Sequence, residues 1–222
     1  TNLNVTASLD EAVSSSSVIV MGVPSQKFGE NLEAFIPFLT EPCVVLSATK
    51  GLERFSGKRM SEILKEKLPG SFHSKIGVLS GPNLSREVVQ GKPSSTVVAS
   101  DDESVAKEIQ DILMTPTFRV YTNSDVTGVE LGGALKNIIA IGSGISDGLG
   151  YGDNAKAAFI TRGLAEITRL SVAAGAQPTT MAGLAGIGDL IATCASPLSR
   201  NRYVGEQLAL GHKLPDILSS MD

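Results

Sequence analysis

The chain is poor in the residues that build metal sites and redox clusters. Its cysteines are Cys43 and Cys194, far apart and each among apolar neighbours, and its histidines, His73 and His212, fall in polar stretches. No spacing among them suits a metal ligand set, so no metal is expected, and the thiols are expected to be free and buried in a reducing compartment. Runs of Lys or Arg are also lacking. With a net charge of −4 over 222 residues there is no electrostatic footprint for nucleic acid. No apolar run reaches membrane-spanning length and no signal peptide is visible, so a membrane is not an expected partner either. Thr1 opens the chain in place of Met and Asp222 falls in mid-pattern. The expectation is a piece cut at both ends, from which a targeting segment could have been lost.

What the chain does have is ordinary globular composition, 42% hydrophobic and 19% charged, with enough length for one large domain or two modest ones. Short, nearly continuous apolar runs at Val18–Val23, Val44–Ala48 and Ile76–Leu79 read as strands covered on both faces. Helical spacing follows each of the first two, at Phe28–Leu39 and Gly57–Leu68. Further strands are expected at Ser95–Ala99 and Phe118–Tyr121, with a helix at Glu103–Leu113 between them. Strand and helix alternating in this way argue for an α/β fold, a partial Rossmann-type doubly wound parallel sheet. From Asp125 the strand signals stop. Helices are expected at Asp125–Ser146, Ala155–Ala174, Ile187–Thr193 and Ser199–Leu210, with glycines in the breaks. The division is therefore an α/β part over 1–124 and an all-helical part over 125–222. The serines from Ser14 to Ser17 read as a loop before a strand.

One charge stands out. Lys136 is the only charged residue between Leu131 and Ser146. At helical spacing it shares a face with Gly132, Gly133 and Ala140, which would leave a hollow beside it. An unpaired ammonium there costs several kcal/mol. Lys136 therefore reads as a catalytic or ligand-binding lysine; the alternative is a lysine that snorkels to solvent.

Ligands of open parallel sheets bind at the carboxyl ends of the strands. Three turns fall there: Val23-Pro24-Ser25, Thr49-Lys50-Gly51 and Gly81-Pro82-Asn83. Lys50 is placed at the ligand rim by topology, although a solvated lysine is the plain alternative. In the helical part, Asp189 follows a glycine-rich loop from Gly183 and is either a site residue or a helix N-cap. Ser199-Arg200-Asn201-Arg202 opens the last expected helix, where free N–H groups and two guanidinium groups suit a phosphate. Arg162, Glu166 and Arg169 read as a surface charge ladder.

Taken together and in order, Leu46–Glu53, Leu79–Asn83, Gly128–Asn137, Ile145–Asn154, Gly183–Leu190 and Pro197–Arg202 resemble the soluble two-domain NAD(P)-dependent glycerol-3-phosphate dehydrogenases. The resemblance implies an oxidoreductase that interconverts dihydroxyacetone phosphate and sn-glycerol 3-phosphate with NAD or NADP, supplying glycerol 3-phosphate for glycerolipid synthesis. It implies that 1–124 is a dinucleotide-binding domain incomplete at its N-terminus and 125–222 a substrate domain incomplete at its C-terminus. It further implies that Lys136, Lys50 and Asp189 are catalytic. Lys50, Gly81, Asn83, Lys136, Asp189, Ser199, Arg200 and Asn201 would contact substrate, and Pro24, Lys50, Ser85 and Arg200 would contact the cofactor. Lys136 would act as acid toward the C2 oxygen and, in the oxidative direction, as base, with burial and the charge of Lys50 lowering its pKa. Asp189 would orient Lys136 or accept a substrate hydroxyl. A homodimer in the cytoplasm is implied, or in the plastid stroma if a transit peptide has been lost.

The sequence departs from the family in two ways. Ser85 stands where bacterial members often have alanine, a change that a backbone contact tolerates. The Gly-x-Gly-x-x-Gly turn that holds the pyrophosphate in the family is absent, which implies a fragment with only part of the dinucleotide site. The rival readings are a related two-domain dehydrogenase acting on another small acid or phosphate, and a truncated protein that binds without catalysis.

Overall fold

The computed structural model describes residues 3–221. Thr1, Asn2 and Asp222, the outermost positions of the two expected domains, lie outside the described residues. The first part runs α1 (Leu9–Val13), β1 (Val18–Met21), α2 (Phe28–Phe35), β2 (Val44–Ser47), α3 (Met60–Lys67), β3 (Ile76–Ser80), α4 (Ser85–Val89), β4 (Ser94–Ala99), α5 (Glu103–Leu113) and β5 (Phe118–Asn123). The second part is helical: α6 (Val126–Gly148), α7 (Gly152–Ala173), α8 (Pro178–Met181), α9 (Asp189–Ala195), α10 (Arg200–Ala209) and α11 (Leu214–Ser219). A π-helical turn, Leu184–Gly188, leads directly into α9.

The strands form one sheet in the order β1-β2-β3-β4-β5. β1, β2 and β3 are parallel neighbours, with Val18 opposite Val44 and Val45 opposite Ile76. β4 and β5 are also parallel, but β3 and β4 are antiparallel, with Val78 opposite Ala99. The expected parallel sheet is thus parallel-dominated, with one antiparallel pair at β3–β4. The reason lies in α4. Five residues of helix advance the chain by only ~7.5 Å, less than the ~16 Å of a five-residue strand. The connection holds no crossover helix long enough to span the strand, and β4 returns alongside β3.

Both faces of β2 and β3 are covered, which is why their residues are apolar without alternation. β1, expected to be covered on both faces, instead leaves Val20 54% exposed, and β5 exposes Arg119 and Tyr121. Phe28, Leu32 and Phe35 of α2 and Met60, Ile63 and Leu64 of α3 pack on one face with Ile19, Val45 and Ile76. Val105 and Ile109 of α5 pack on the other, against Val44, Leu46, Val98 and Val120. Each such side chain, fully buried, contributes roughly 1.5–3 kcal/mol. The Asp102 carboxylate caps α5 by accepting from Ser104 N at 2.9 Å.

α6 joins the two parts. The Asp125 carboxylate caps it, accepting from Gly128 N and from Gln177 N, both at 2.8 Å. Val126 and Val129 in its first turn pack on the sheet with Val78, Val97 and Ala99. Leu131, Leu135 and Ile139 further along pack with Ile167, Leu190 and Cys194 of the helical part. The short helices α1, α4, α8 and α11 carry too few apolar residues for their periodicity to show in the sequence. Cys194 is buried, Cys43 is only partly so, and both are free thiols.

Candidate functional site

The parallel run of β1, β2 and β3 puts their carboxyl ends, and so all three expected turns, at one edge of the sheet. The first two turns are tied together: Thr49 Oγ1 donates to Val23 O at 2.8 Å. Lys50 projects from the second turn across to the helical part, where it meets Asp189.

Asp189 is 2% exposed and holds two lysines. Lys50 Nζ donates to its Oδ2 at 2.5 Å, and Lys136 Nζ to its Oδ1 at 2.5 Å. Lys50 Nζ also donates to Gly81 O at 3.0 Å, and Lys136 Nζ to Thr193 Oγ1 at 2.6 Å. Thr193 Oγ1 in turn donates to Asp189 O at 2.7 Å. Two ammonium groups facing one carboxylate leave a net positive charge at the sheet edge. Burial first, and then the like charge of Lys50, lower the Lys136 pKa to about 8 against the opposing pull of Asp189.

Lys136 is 7% exposed, so it does not snorkel. The space beside Gly132 and Gly133 is not the hollow expected there. A Cβ on Gly132 would lie 2.4 Å from Ala185 O, and one on Gly133 would lie 2.5 Å from Ser80 Oγ. These glycines let α6 approach the π-helical turn on one side and the β3 and Lys50 region on the other. The turn ends where α9 begins, so this close packing places Asp189 against Lys136. The Asp189 carboxylate accepts from lysines and does not cap α9.

Lys136 opens onto a cleft of about 700 Å³. Asn83 and Ser85 line it from the β3–β4 connection, with Asn137 and Thr193 beside Lys136. Ser199, Arg200 and Asn201 line it from the start of α10. The Asn83 side chain is fixed to β4, donating to Ser95 O at 3.0 Å and accepting from Thr96 Oγ1 at 2.8 Å. Ser199 is the N-cap of α10 and accepts from Arg202 N at 3.2 Å. Only one of the two guanidinium groups expected at this helix start is available to a ligand. Arg202 donates to Asp147 Oδ2 at 2.5 Å and pairs with Glu206 at 3.1 Å, whereas Arg200 is exposed on the cleft. Pro24 is exposed at the carboxyl end of β1 and stands outside the cleft lining. Arg162, Glu166 and Arg169 form the expected surface ladder on α7, at 2.8 and 2.6 Å.

The sequence reading missed two residues of this constellation. Thr193 stands four positions after Asp189, so helical spacing puts both on one face, a signal that was available. Asn137 follows Lys136 directly and carried no signal of its own. Among the described residues, no group of three His, Cys, Asp or Glu is placed to hold a metal ion. No single helix among them is long and apolar enough to cross a membrane.

Two family models together match most of the chain. The model of the NAD-dependent glycerol-3-phosphate dehydrogenase N-terminus matches residues 1–106, and that of the C-terminus of the same enzyme matches 125–222. The chain belongs to the NAD-dependent glycerol-3-phosphate dehydrogenase family. A glycerol-3-phosphate dehydrogenase (NAD(P)+) of Dehalococcoides mccartyi is 52% identical over 219 residues, covering 99% of this chain and 61% of the relative. One from Chlorobium phaeobacteroides is 50% identical, covering 100% and 66%. The crystal structure of glycerol-3-phosphate dehydrogenase (gpsA) from Coxiella burnetii superposes with a TM-score of 0.91 at 36% identity, over 97% of this chain and 65% of that one. The chain thus spans 61–66% of the length of these curated family members.

Proposed function

We propose that this chain carries the catalytic centre of a dehydrogenase that interconverts dihydroxyacetone phosphate and sn-glycerol 3-phosphate. The observation that carries the reading is the buried Lys50–Asp189–Lys136 bridge behind a cleft that also holds Arg200. In this reading residues 1–124 serve the dinucleotide and 125–222 the substrate. Lys50, Ser85 and Arg200 suit the nicotinamide end of NAD or NADP, because they border the bridge and the cleft, and Pro24 extends that edge. The cofactor, when bound, supplies or takes up a hydride at substrate C2.

The residues of the chain handle charge and protons. As the ketone is reduced, negative charge grows on the C2 oxygen, and the Lys136 ammonium donates a proton to it. Hydride at C2 and proton at oxygen together make the alcohol. In reverse, the neutral Lys136 amine takes the hydroxyl proton, which its lowered pKa permits near neutrality. Asp189 holds Lys136 in place, and Lys50 anchors Asp189 and adds positive charge. The substrate phosphate, with two negative charges, lies at the start of α10, where Arg200, Ser199 and Asn201 meet the positive end of the helix. Asn83 and Gly81 border the substrate from the β3–β4 side. A homodimer working in the cytoplasm, with glycerol 3-phosphate passed to glycerolipid synthesis, completes the reading.

The test is oxidation of NADH and NADPH with dihydroxyacetone phosphate, by this chain and by a chain extended to the length of its relatives. Turnover by the extended chain with either cofactor is expected. Phosphate-ester binding without turnover in both would favour a protein that binds only. Turnover of a different ketone in preference would favour a related dehydrogenase.

A further inference from the structure

A carboxylate outside the cleft is buried as deeply as the site itself. Glu130 lies on α6, six residues before Lys136, and its side chain is 7% exposed. Its Oε1 accepts from Ser61 N at 2.8 Å, and its Oε2 accepts from Ser61 Oγ at 2.5 Å and from Arg59 Nη1 at 2.7 Å. Arg59 and Ser61 flank the start of α3, at the far end of the loop that Lys50 opens. That loop is closed on itself. Leu52 pairs with Arg59 across an antiparallel bridge, and Glu53 N donates to Lys58 O at 2.8 Å. Lys50 is therefore two residues from a backbone bridge to a residue that Glu130 holds. Halfway between Glu130 and Lys136, a Cβ on Gly133 would lie 3.4 Å from Lys50 Cγ, so the Lys50 stem rests on α6 there.

We propose that Glu130 is a positioning residue that, through Arg59 and Leu52, holds the Lys50 loop in register with Lys136 along α6. Stability alone does not call for a charged group here. Burial pushes the Glu130 carboxyl up despite its bonds to Ser61 and Arg59, and an apolar residue of similar volume often serves stability as well as a buried ion pair. What the ionic cluster supplies is direction: three donors from one loop end converge on two oxygens and fix the loop's height along the helix. The inference rests on the functional reading above for its purpose, but on the loop geometry for its content.

The experiment reads Lys136 directly in this chain. Acetylation of Lys136 by acetic anhydride is followed by mass spectrometry across pH 6–11, in the unaltered chain, Glu130→Gln, Ser61→Ala, Lys50→Ala and the Glu130→Gln/Lys50→Ala double variant. Lys50 from the β2 loop and Asp189 from α9 are the charged groups that face Lys136. If the Lys50 loop slips, the like charge recedes and the Lys136 midpoint rises, by roughly half a pH unit or more. Ser61→Ala, which removes one bond and leaves the ion pair, should move it the same way by less, and serves if Glu130→Gln does not fold. With Lys50 already gone, Glu130→Gln should add nothing. An unchanged midpoint in the folded variants, or the full shift persisting without Lys50, overturns the proposal. Labelling needs no substrate, so its outcome is independent of whether dihydroxyacetone phosphate is reduced.

Discussion

At the residue scale, the proposed function concentrates proton transfer on Lys136, whose environment differs from that of an exposed lysine. A pKa lowered to about 8 would place the proposed proton exchange near neutrality. Reduction of the ketone needs the ammonium and should decline as pH rises through about 8, whereas oxidation needs the amine and should increase over the same interval. Opposite pH–rate limbs in the two directions, measured in the extended chain, check this; limbs with the same sign would remove Lys136 from the proton-transfer role. Lys136 and Arg200 should also fail differently. On the proposed mechanism Lys136→Ala removes an interaction with charge that develops only in the transition state, so kcat should drop by roughly 10²-fold or more. On the same reading Arg200→Ala removes a grip on a phosphate present throughout, so KM for dihydroxyacetone phosphate should rise on the order of 10- to 150-fold with kcat nearly unchanged. Steady-state kinetics at saturating reduced cofactor separates the two.

At the scale of elements, α6 meets α10 so closely that each helix needs a bare backbone at the crossing. A Cβ on Gly144 would lie 1.9 Å from Arg202 O, and one on Gly205 would lie 1.9 Å from Ile141 O. Gly205→Ala should force the helices apart and cost about 1–3 kcal/mol or more, read as a lower midpoint in denaturant. Because Ser199, Arg200 and Asn201 ride at the start of α10, inorganic phosphate should bind more weakly in the same variant. An unaltered midpoint would mean that the crossing yields without penalty. Asp147, near the end of α6, ties this corner together, accepting from Lys156 at 2.8 Å and Arg202 at 2.5 Å. Burial pushes its carboxyl up, but the bonds from Lys156 and Arg202 outweigh that and hold it below the usual range. A depressed folded-state pKa contributes stability that is present above the unfolded value of about 3.9 and is lost as pH falls through it and below. Melting temperature should decline over that acid interval, and Asp147→Asn should flatten part of the decline.

At the scale of the molecule, one helix belongs to both cores. The first turns of α6 complete the sheet packing, and its middle completes the helical packing. The Lys50–Asp189 pair and the Glu130 cluster add polar links across the same seam. The two parts should therefore unfold together. Loss of helix by circular dichroism and loss of hydrogen-exchange protection in Val44–Ser47 and Ile76–Ser80 should share one denaturant midpoint. Two separated midpoints would show that the seam does not couple the parts.

Much of this was legible in the sequence, because the strongest signals are local. The apolar runs announce β1, β2 and β3, of which β2 and β3 are buried on both faces and β1 on one, and α5 begins and ends at its expected residues, capped by Asp102. The end of strand signals before Asp125 marks the passage to helices. Lys136 stood out because no other charge shares its stretch, and strand-end topology singled out Lys50. Other features depended on distance in space. The antiparallel turn of β4 follows from the short reach of α4, which periodicity does not report. That Gly132 and Gly133 admit neighbours instead of leaving a hollow, that Arg202 turns to Asp147 and leaves Arg200 to the cleft, and that Asp189 bridges two lysines are all contacts between residues remote in sequence. Local propensity settled which segments are helix and strand; packing settled which charges are paired and which face the cleft, because pairing energy depends on separations that only the folded chain defines.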